Sequence, residues 1–170
     1  MSRLFSPHAL GPLTLRNRIV VAPMCQYSAI DGAPQPWHHQ HIGRLALSGA
    51  GLVIIEATGV TPEGRITPDD VGLWNDEQAQ AFADILRGVR TYCDTPIGIQ
   101  LGHAGRKAST AAPWKGGGPL AAEDGAWTTY GPSALPFRED WHTPLEMPEA
   151  AMNHVVAASE AAARRADQAG

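Results

Sequence analysis

Cys25 and Tyr27 stand two residues apart in Pro23-Met24-Cys25-Gln26-Tyr27, directly after the apolar run Ile19 to Ala22. A thiol can act as nucleophile, redox partner or weak donor, and a phenol can give a proton or orient a carbonyl. The apolar run reads as a buried strand, so both groups are expected at its carboxyl end. In parallel α/β architectures the chemistry sits at that end, where the loops converge on one face. A small core Cys and a packing Tyr are the alternatives, and adjacency at a strand end favours chemistry.

Other candidates are less pointed. His38, His39 and His41 lie close together, and His38 and His41 share a helix face, but no Asp, Glu or Cys completes a ligand set and no metal is expected. Gly116-Gly117-Gly118 is followed by Pro119 rather than a helix, so it reads as a flexible loop and not as a phosphate cradle. Arg106 and Lys107 are paired cations near a strand end, placed to attract a cofactor phosphate or to serve a structural role. Trp114, Trp127 and Trp141 either wall a cleft or anchor a loop.

These groups need elements to hold them. With 170 residues, 44% hydrophobic and 18% charged, the chain carries enough apolar material for an ordered core. A formal charge of −4 with no basic stripe argues against nucleic acid and anionic lipid. No apolar run is long enough for a membrane span or a signal peptide. Cys25 and Cys93 alone make no disulfide framework, and a reducing, cytoplasmic setting is expected.

Short apolar runs alternate with helical stripes, the pattern of repeated strand and helix units in an α/β fold. Leu13 to Leu15 reads as part of a hairpin, and Arg18 to Ala22 as the first strand. A helix follows from about Trp37 to Ser48, ended by Gly49. Leu52 to Ala57 reads as a strand covered on both faces. Asn75 and Gln78 have capping-box spacing, and the stripe Ala79, Phe82, Ile85, Leu86, Val89 keeps the helical period. Ile97 to Leu101 is the third strand, and Gly102 to Pro144 is a long excursion without a clear period. A last helix from Glu149 to Gln168 is expected to turn Met152, Val155, Val156, Ala163 and Ala166 to one side, with Gly170 as its cap.

The ordered motifs resemble those of the old yellow enzyme family of FMN-dependent oxidoreductases, within it the thermophilic-like ene-reductases and xenobiotic reductases. Leu15-Arg16-Asn17-Arg18-Ile19 is similar to the family's lead into the first strand, and Ala22-Pro23-Met24-Cys25-Gln26-Tyr27 to its flavin-contacting turn. Ile55-Glu56-Ala57-Thr58, Pro62-Glu63-Gly64-Arg65, Ile99-Gln100-Leu101-Gly102-His103-Ala104-Gly105-Arg106-Lys107 and Pro132-Ser133-Ala134 follow in order. Gly102 departs from the Ala common in relatives.

The resemblance implies a TIM (β/α)8 barrel, of which residues 1–170 would form the N-terminal part of a single FMN-binding domain: an N-terminal hairpin, about three β/α units, and the excursion at about 102–144. Such a barrel typically needs about 250 residues. It implies FMN as cofactor, NADPH or NADH as reductant, and an activated alkene such as an α,β-unsaturated carbonyl as substrate. Ala22, Pro23, Met24, Cys25, Ala57 and Gln100 would contact the flavin. The planar amide of Gln100 suits the alternating N–H and C=O edge of the ring. Cys25 would tune the ring and Tyr27 would face substrate; a nucleophilic Cys25 lacks a base placed by sequence.

The family's carbonyl-binding His pair, proton-donating Tyr and phosphate site have no counterpart among these 170 residues, so the chain alone is expected to be inactive. The remainder of the barrel or a second subunit would complete it, and a homo-oligomer is expected. The alternative is a non-catalytic barrel fragment acting as an assembly or interaction module through open sheet edges.

Overall fold

The structure is a computed structural model that describes residues 2–170. β1 (His8–Leu10) and β2 (Leu13–Leu15) form the expected hairpin, antiparallel, with His8 opposite Leu15 and Leu10 opposite Leu13. Gly11 turns the tip at φ 58°, a left-handed value that glycine adopts without a Cβ penalty.

The first parallel strand is shorter than its apolar run suggests: β3 spans only Val20–Val21. Before it, the Ile19 carbonyl accepts from the Gly51 and Leu52 N–H groups at 2.8 and 3.3 Å, and side-chain bonds add to these. Asn17 Oδ1 accepts from the Ile19 N–H at 3.0 Å, and Asn17 Nδ2 donates to the Gly49 carbonyl at 2.8 Å. Arg16 Nε donates to the Ala50 carbonyl at 3.3 Å, and its guanidinium also reaches Thr95 Oγ1. The Leu-Arg-Asn-Arg-Ile segment therefore ties the start of β3 to the loops before β4 and β5.

Helix α1 spans Pro36–Ala46, starting one residue before and ending two residues before the expected bounds. Proline suits the first helical position, where its missing N–H has no partner to lose. The Gln35 N–H donates to His38 Nδ1 at 2.9 Å, so a histidine closes the first turn. β4 (Leu52–Gly59) lies between β3 and β5 (Ile97–Gly102), all three parallel.

Helix α2 (Asp76–Arg90) begins where Asn75 places it: Asn75 Oδ1 accepts from the Gln78 N–H at 2.8 Å. The return half of the capping box is displaced. Gln78 Oε1 accepts from the Trp74 N–H at 2.9 Å, and Nε2 donates to the Asp31 carbonyl at 3.0 Å. Gln78 is buried, and it gains more by stitching α2 to the loop after β3 than by returning to Asn75.

Phe82, Ile85 and Val89 pack with Ile42, Ala46, Ile55 and Leu73 into one core between the helices and the sheet. Val53 and Ile55 are buried, whereas Leu52 and Ile54 are half-buried, so β4 is not covered equally on both faces. Helix α3 spans Glu149–Ala169, and of the expected side Ala166 meets the core while its other packed positions differ. Ala158, Ala162 and Ala166 meet the core, while Met152, Val156 and Ala163 are exposed. Small residues at a spacing of four let α3 approach α2 closely, and this close approach outweighs the larger side chains.

The excursion is irregular but tied down. β6 (Tyr130–Gly131) and β7 (Leu145–Glu146) pair in parallel within it. Trp127 Nε1 donates to the Glu63 carbonyl at 3.0 Å, Trp141 Nε1 to Thr110 Oγ1 at 3.3 Å, and Lys115 pairs with Asp69 at 2.8 Å. Among the described residues no helix is long and apolar enough to cross a membrane.

Candidate functional site

Three parallel strands deliver the candidate residues to one end. The chain leaves β3 at Ala22 and runs through Pro23 to Tyr27, while register places Ala57 of β4 opposite Gln100 of β5. A cleft of about 150 Å³ opens there, lined by Ala57, Gly59, Arg65, Asp70, Gln100 and His103 among others. Gln100 and Met24 are exposed, and the Gln100 amide has no hydrogen-bond partner among the described residues. A planar donor and acceptor pair thus stands free beside the small side chain of Ala57.

Gln26 holds the turn in shape. Its N–H donates to Glu56 Oε1 at 3.0 Å, its Nε2 donates to the Met24 carbonyl at 2.8 Å, and its Oε1 accepts from Trp37 Nε1 at 3.2 Å. With those bonds in place, Tyr27 adopts φ 50°, left-handed for a residue with a Cβ. Such strain persists only where the surroundings over-determine it, and functional sites are where it collects. The Tyr27 ring meets Trp114 edge-on, with centroids 5.2 Å apart.

The electrostatics keep Cys25 a thiol. Burial first, then Asp70 and Glu56, push it up to about 11, against the Ala57 N–H and Lys107, which pull the other way. Few thiolates exist near neutrality, and a nucleophilic role is disfavoured. Burial, with Cys25, Asp70 and Glu56 around it, also raises Tyr27, so its phenol keeps its proton. Asp70 is buried and accepts from the Ile66 and Thr67 N–H groups at 3.0 and 2.9 Å and from Thr67 Oγ1 at 3.0 Å. Desolvation still raises its carboxyl above the usual range.

The remaining candidates separate. Trp114 borders the site through Tyr27, whereas Trp127 and Trp141 are anchors. The Arg65 guanidinium contacts the rings of Trp127 and Trp74, 5.4 and 5.3 Å from their centroids. Arg106 Nη2 donates to Ser133 Oγ at 3.2 Å, a structural tie, while the Lys107 charge reaches Cys25. His41 stacks on Trp37, His39 lies over Gly88, and His38 is buried; no cluster of three metal-ligating groups occurs among the described residues. Gly116 and Gly117 take φ 106° and 65° in a turn with no helix after it.

Glu56, Gln26 and Lys107 carry contacts that their spacing did not assign. The signal for Glu56 was an acid at the end of the apolar run Leu52 to Ile55. Gln26 offered none, because its three bonds reach residues from 2 to 30 positions away.

Comparison with known proteins gives consistent likenesses. A model of the NADH:flavin oxidoreductase / NADH oxidase family matches residues 3–170. An NADPH dehydrogenase from Bacillus licheniformis is 41% identical over 170 residues, covering 99% of this chain and 45% of its own. One from Listeria monocytogenes serotype 4a is 44% identical over 172 residues, covering 100% and 46%. Among solved structures, morphinone reductase superposes with TM-score 0.81 at 27% identity, covering 98% of this chain and 45% of its own. An old yellow enzyme homologue from Zymomonas mobilis gives 0.79 at 27% identity, covering 99% and 46%. The chain therefore spans a little under half the length of these relatives. The β3–β4–β5 arc with its helices is accordingly the opening part of a (β/α)8 barrel.

Proposed function

The chain belongs to the NADH:flavin oxidoreductase / NADH oxidase family, and from that premise we propose that it forms the flavin-floor portion of an FMN-dependent ene-reductase. The observation that supports this reading most directly is the free Gln100 amide set opposite Ala57, at the strand ends where the Pro23 to Tyr27 turn also emerges. The donor set fits the group. Gln100 matches a planar edge of alternating donors and acceptors, Ala57 leaves room beside it, and the exposed Met24 and its neighbours Ala22 and Pro23 offer backbone and apolar contact.

FMN, when bound, would supply hydride transfer from NADPH or NADH to an activated alkene such as an α,β-unsaturated carbonyl. One solved morphinone reductase, similar in fold, is a complex with tetrahydroNAD. On this reading Gln100 orients the ring edge, and Cys25 presents a protonated, polarisable thiol that tunes it. Tyr27 presents a protonated phenol to the substrate space, steered by Trp114. Lys107 supplies positive charge near the thiol. Turnover draws on the carbonyl-binding pair and proton donor that the resemblance assigns to further parts of the barrel, and the 170-residue chain alone is inactive. A cytoplasmic homo-oligomer completes the reading, in keeping with two free thiols.

The test is flavin uptake. The purified protein is expected to bind FMN with its visible absorbance, and Gln100→Leu to weaken that binding by about tenfold or more, as loss of hydrogen bonds that leaves polar edges unpaired does. Cys25→Ala is expected to keep the flavin and shift its reduction potential. Unchanged FMN affinity in Gln100→Leu would remove the amide from the site. An unchanged reduction potential of the bound flavin in Cys25→Ala would contradict the tuning role.

A further inference from the structure

Glu56 is the lone acid in β4 and is 4% exposed. The ladder pairs Ile55 with Ile99 and then Ala57 with Gln100, so Glu56 is the extra residue of an irregularity in the strand. Bulges re-aim a side chain, and this carboxyl ends against α1. Its Oε1 accepts from the Gln26 N–H at 3.0 Å and lies 3.9 Å from His38 Nε2. His38 is 1% exposed, and its Nδ1 already accepts from the Gln35 N–H. The neutral ring must therefore carry its proton on Nε2, the nitrogen nearest the carboxyl, which has no hydrogen-bond partner. The adjoining void of about 10 Å³, lined in part by Ala22, Met24 and His41, has room for no more than one water. A buried carboxyl, a buried imidazole and the backbone of the turn thus meet at one oxygen.

We propose that His38 and Glu56 are a positioning pair for the Cys25 to Tyr27 turn: the Gln26 N–H is the hydrogen-bond donor to the Glu56 carboxyl, His38 Nε2–H faces the same oxygen from 3.9 Å, and a single proton gained or lost by Glu56 sets the charge beside Cys25. The catalytic meaning of the pair rests on the flavin reading above; the pair itself does not. Burial pushes Glu56 up to about 7, which puts its titration within reach of ordinary conditions. The other charged or titratable groups around it are Cys25 and Tyr27 on the turn, His41 on α1 and Asp70 before α2, while Lys107 after β5 acts on Cys25 itself. Among them Asp70 is the rival, because its carboxyl is also raised and also acts on Cys25.

Alkylation of Cys25 by iodoacetamide reads this charge without flavin. Its rate is followed on the Cys25 peptide, so that Cys93 does not contribute. In the purified apoprotein the logarithm of the rate is expected to climb with unit slope against pH but to flatten around pH 7, as ionising Glu56 makes the thiol harder to ionise. Glu56→Gln keeps an acceptor for Gln26 and is expected to give one straight line, about tenfold faster at alkaline pH, the size of effect one nearby charge exerts. Asp70→Asn keeps the break. His38→Phe moves it to higher pH, because the carboxylate loses the N–H dipole that faces it. The Gln26 amide stays protected from hydrogen exchange in Glu56→Gln and loses protection in Glu56→Ala. A wild-type profile of unit slope throughout, or a break abolished by Asp70→Asn and kept by Glu56→Gln, overturns the proposal. A protein that shows the break yet takes up no FMN upholds the pair and overturns the flavin reading instead.

Discussion

Phe82→Ala is expected to destabilise the fold by about 3–5 kcal/mol, measured as the shift in urea unfolding at constant slope. Phe82 is 2% exposed and lies in the core shared by α1, β4 and α2. Its removal takes away both apolar burial and the contacts of a whole ring. It also widens an open pocket of about 340 Å³ that Phe82 lines with Ile55, Leu73, Leu86, Ile97 and the end of α3. Phe82→Leu keeps most of the volume and should cost less than half as much. The consequence reaches the site, because the segment before α2 carries Asp70 and Trp74, and Trp74 flanks Arg65 at the cleft. A loss below about 1 kcal/mol would mean that the core repacks around the gap.

What could be read in advance was what local chemistry dictates. The stripe from Phe82 to Val89 and the Asn75 cap act within one helix, and the hairpin needs only Leu13 to Leu15 and a glycine tip. Strand order accounts for one shared end, since parallel strands bring their carboxyl ends together, but the choice of Ala57 and Gln100 there came from the family resemblance and not from local pattern. On α3 only Ala166 of the expected side meets the core: Met152 and Val156 outrank alanine in hydrophobicity, but Ala158, Ala162 and Ala166 allow the closer approach. Glu56 and His38 were out of reach for a different reason. Their meeting depends on a one-residue irregularity in β4 and on an imidazole whose other nitrogen is taken by the Gln35 N–H, and neither leaves a periodic mark.

Glu56 also makes stability depend on pH in a direction opposite to that of an ordinary salt-bridged carboxylate. In the unfolded chain its carboxyl titrates at the usual 4.5, and in the fold burial raises it to about 7. Between those values the folded state keeps a proton that the unfolded state has released, so rising pH favours unfolding. The contribution is fully present below the lower value and lost above the upper one, about 3 kcal/mol at about 1.36 kcal/mol per unit. Asp70 acts in the same sense, whereas His38, His41 and His103, all lowered by burial, act in the opposite one. The total curve mixes these signs, but the difference between wild type and Glu56→Gln isolates Glu56, because the other groups remain in both. Urea unfolding from about pH 4.5 to 8 is therefore expected to show the wild type losing about 3 kcal/mol relative to the variant. Parallel curves would mean that Glu56 has the same affinity for its proton folded and unfolded. A carboxyl 4% exposed could achieve that only if the Gln26 N–H and the facing His38 offset the whole cost of desolvation.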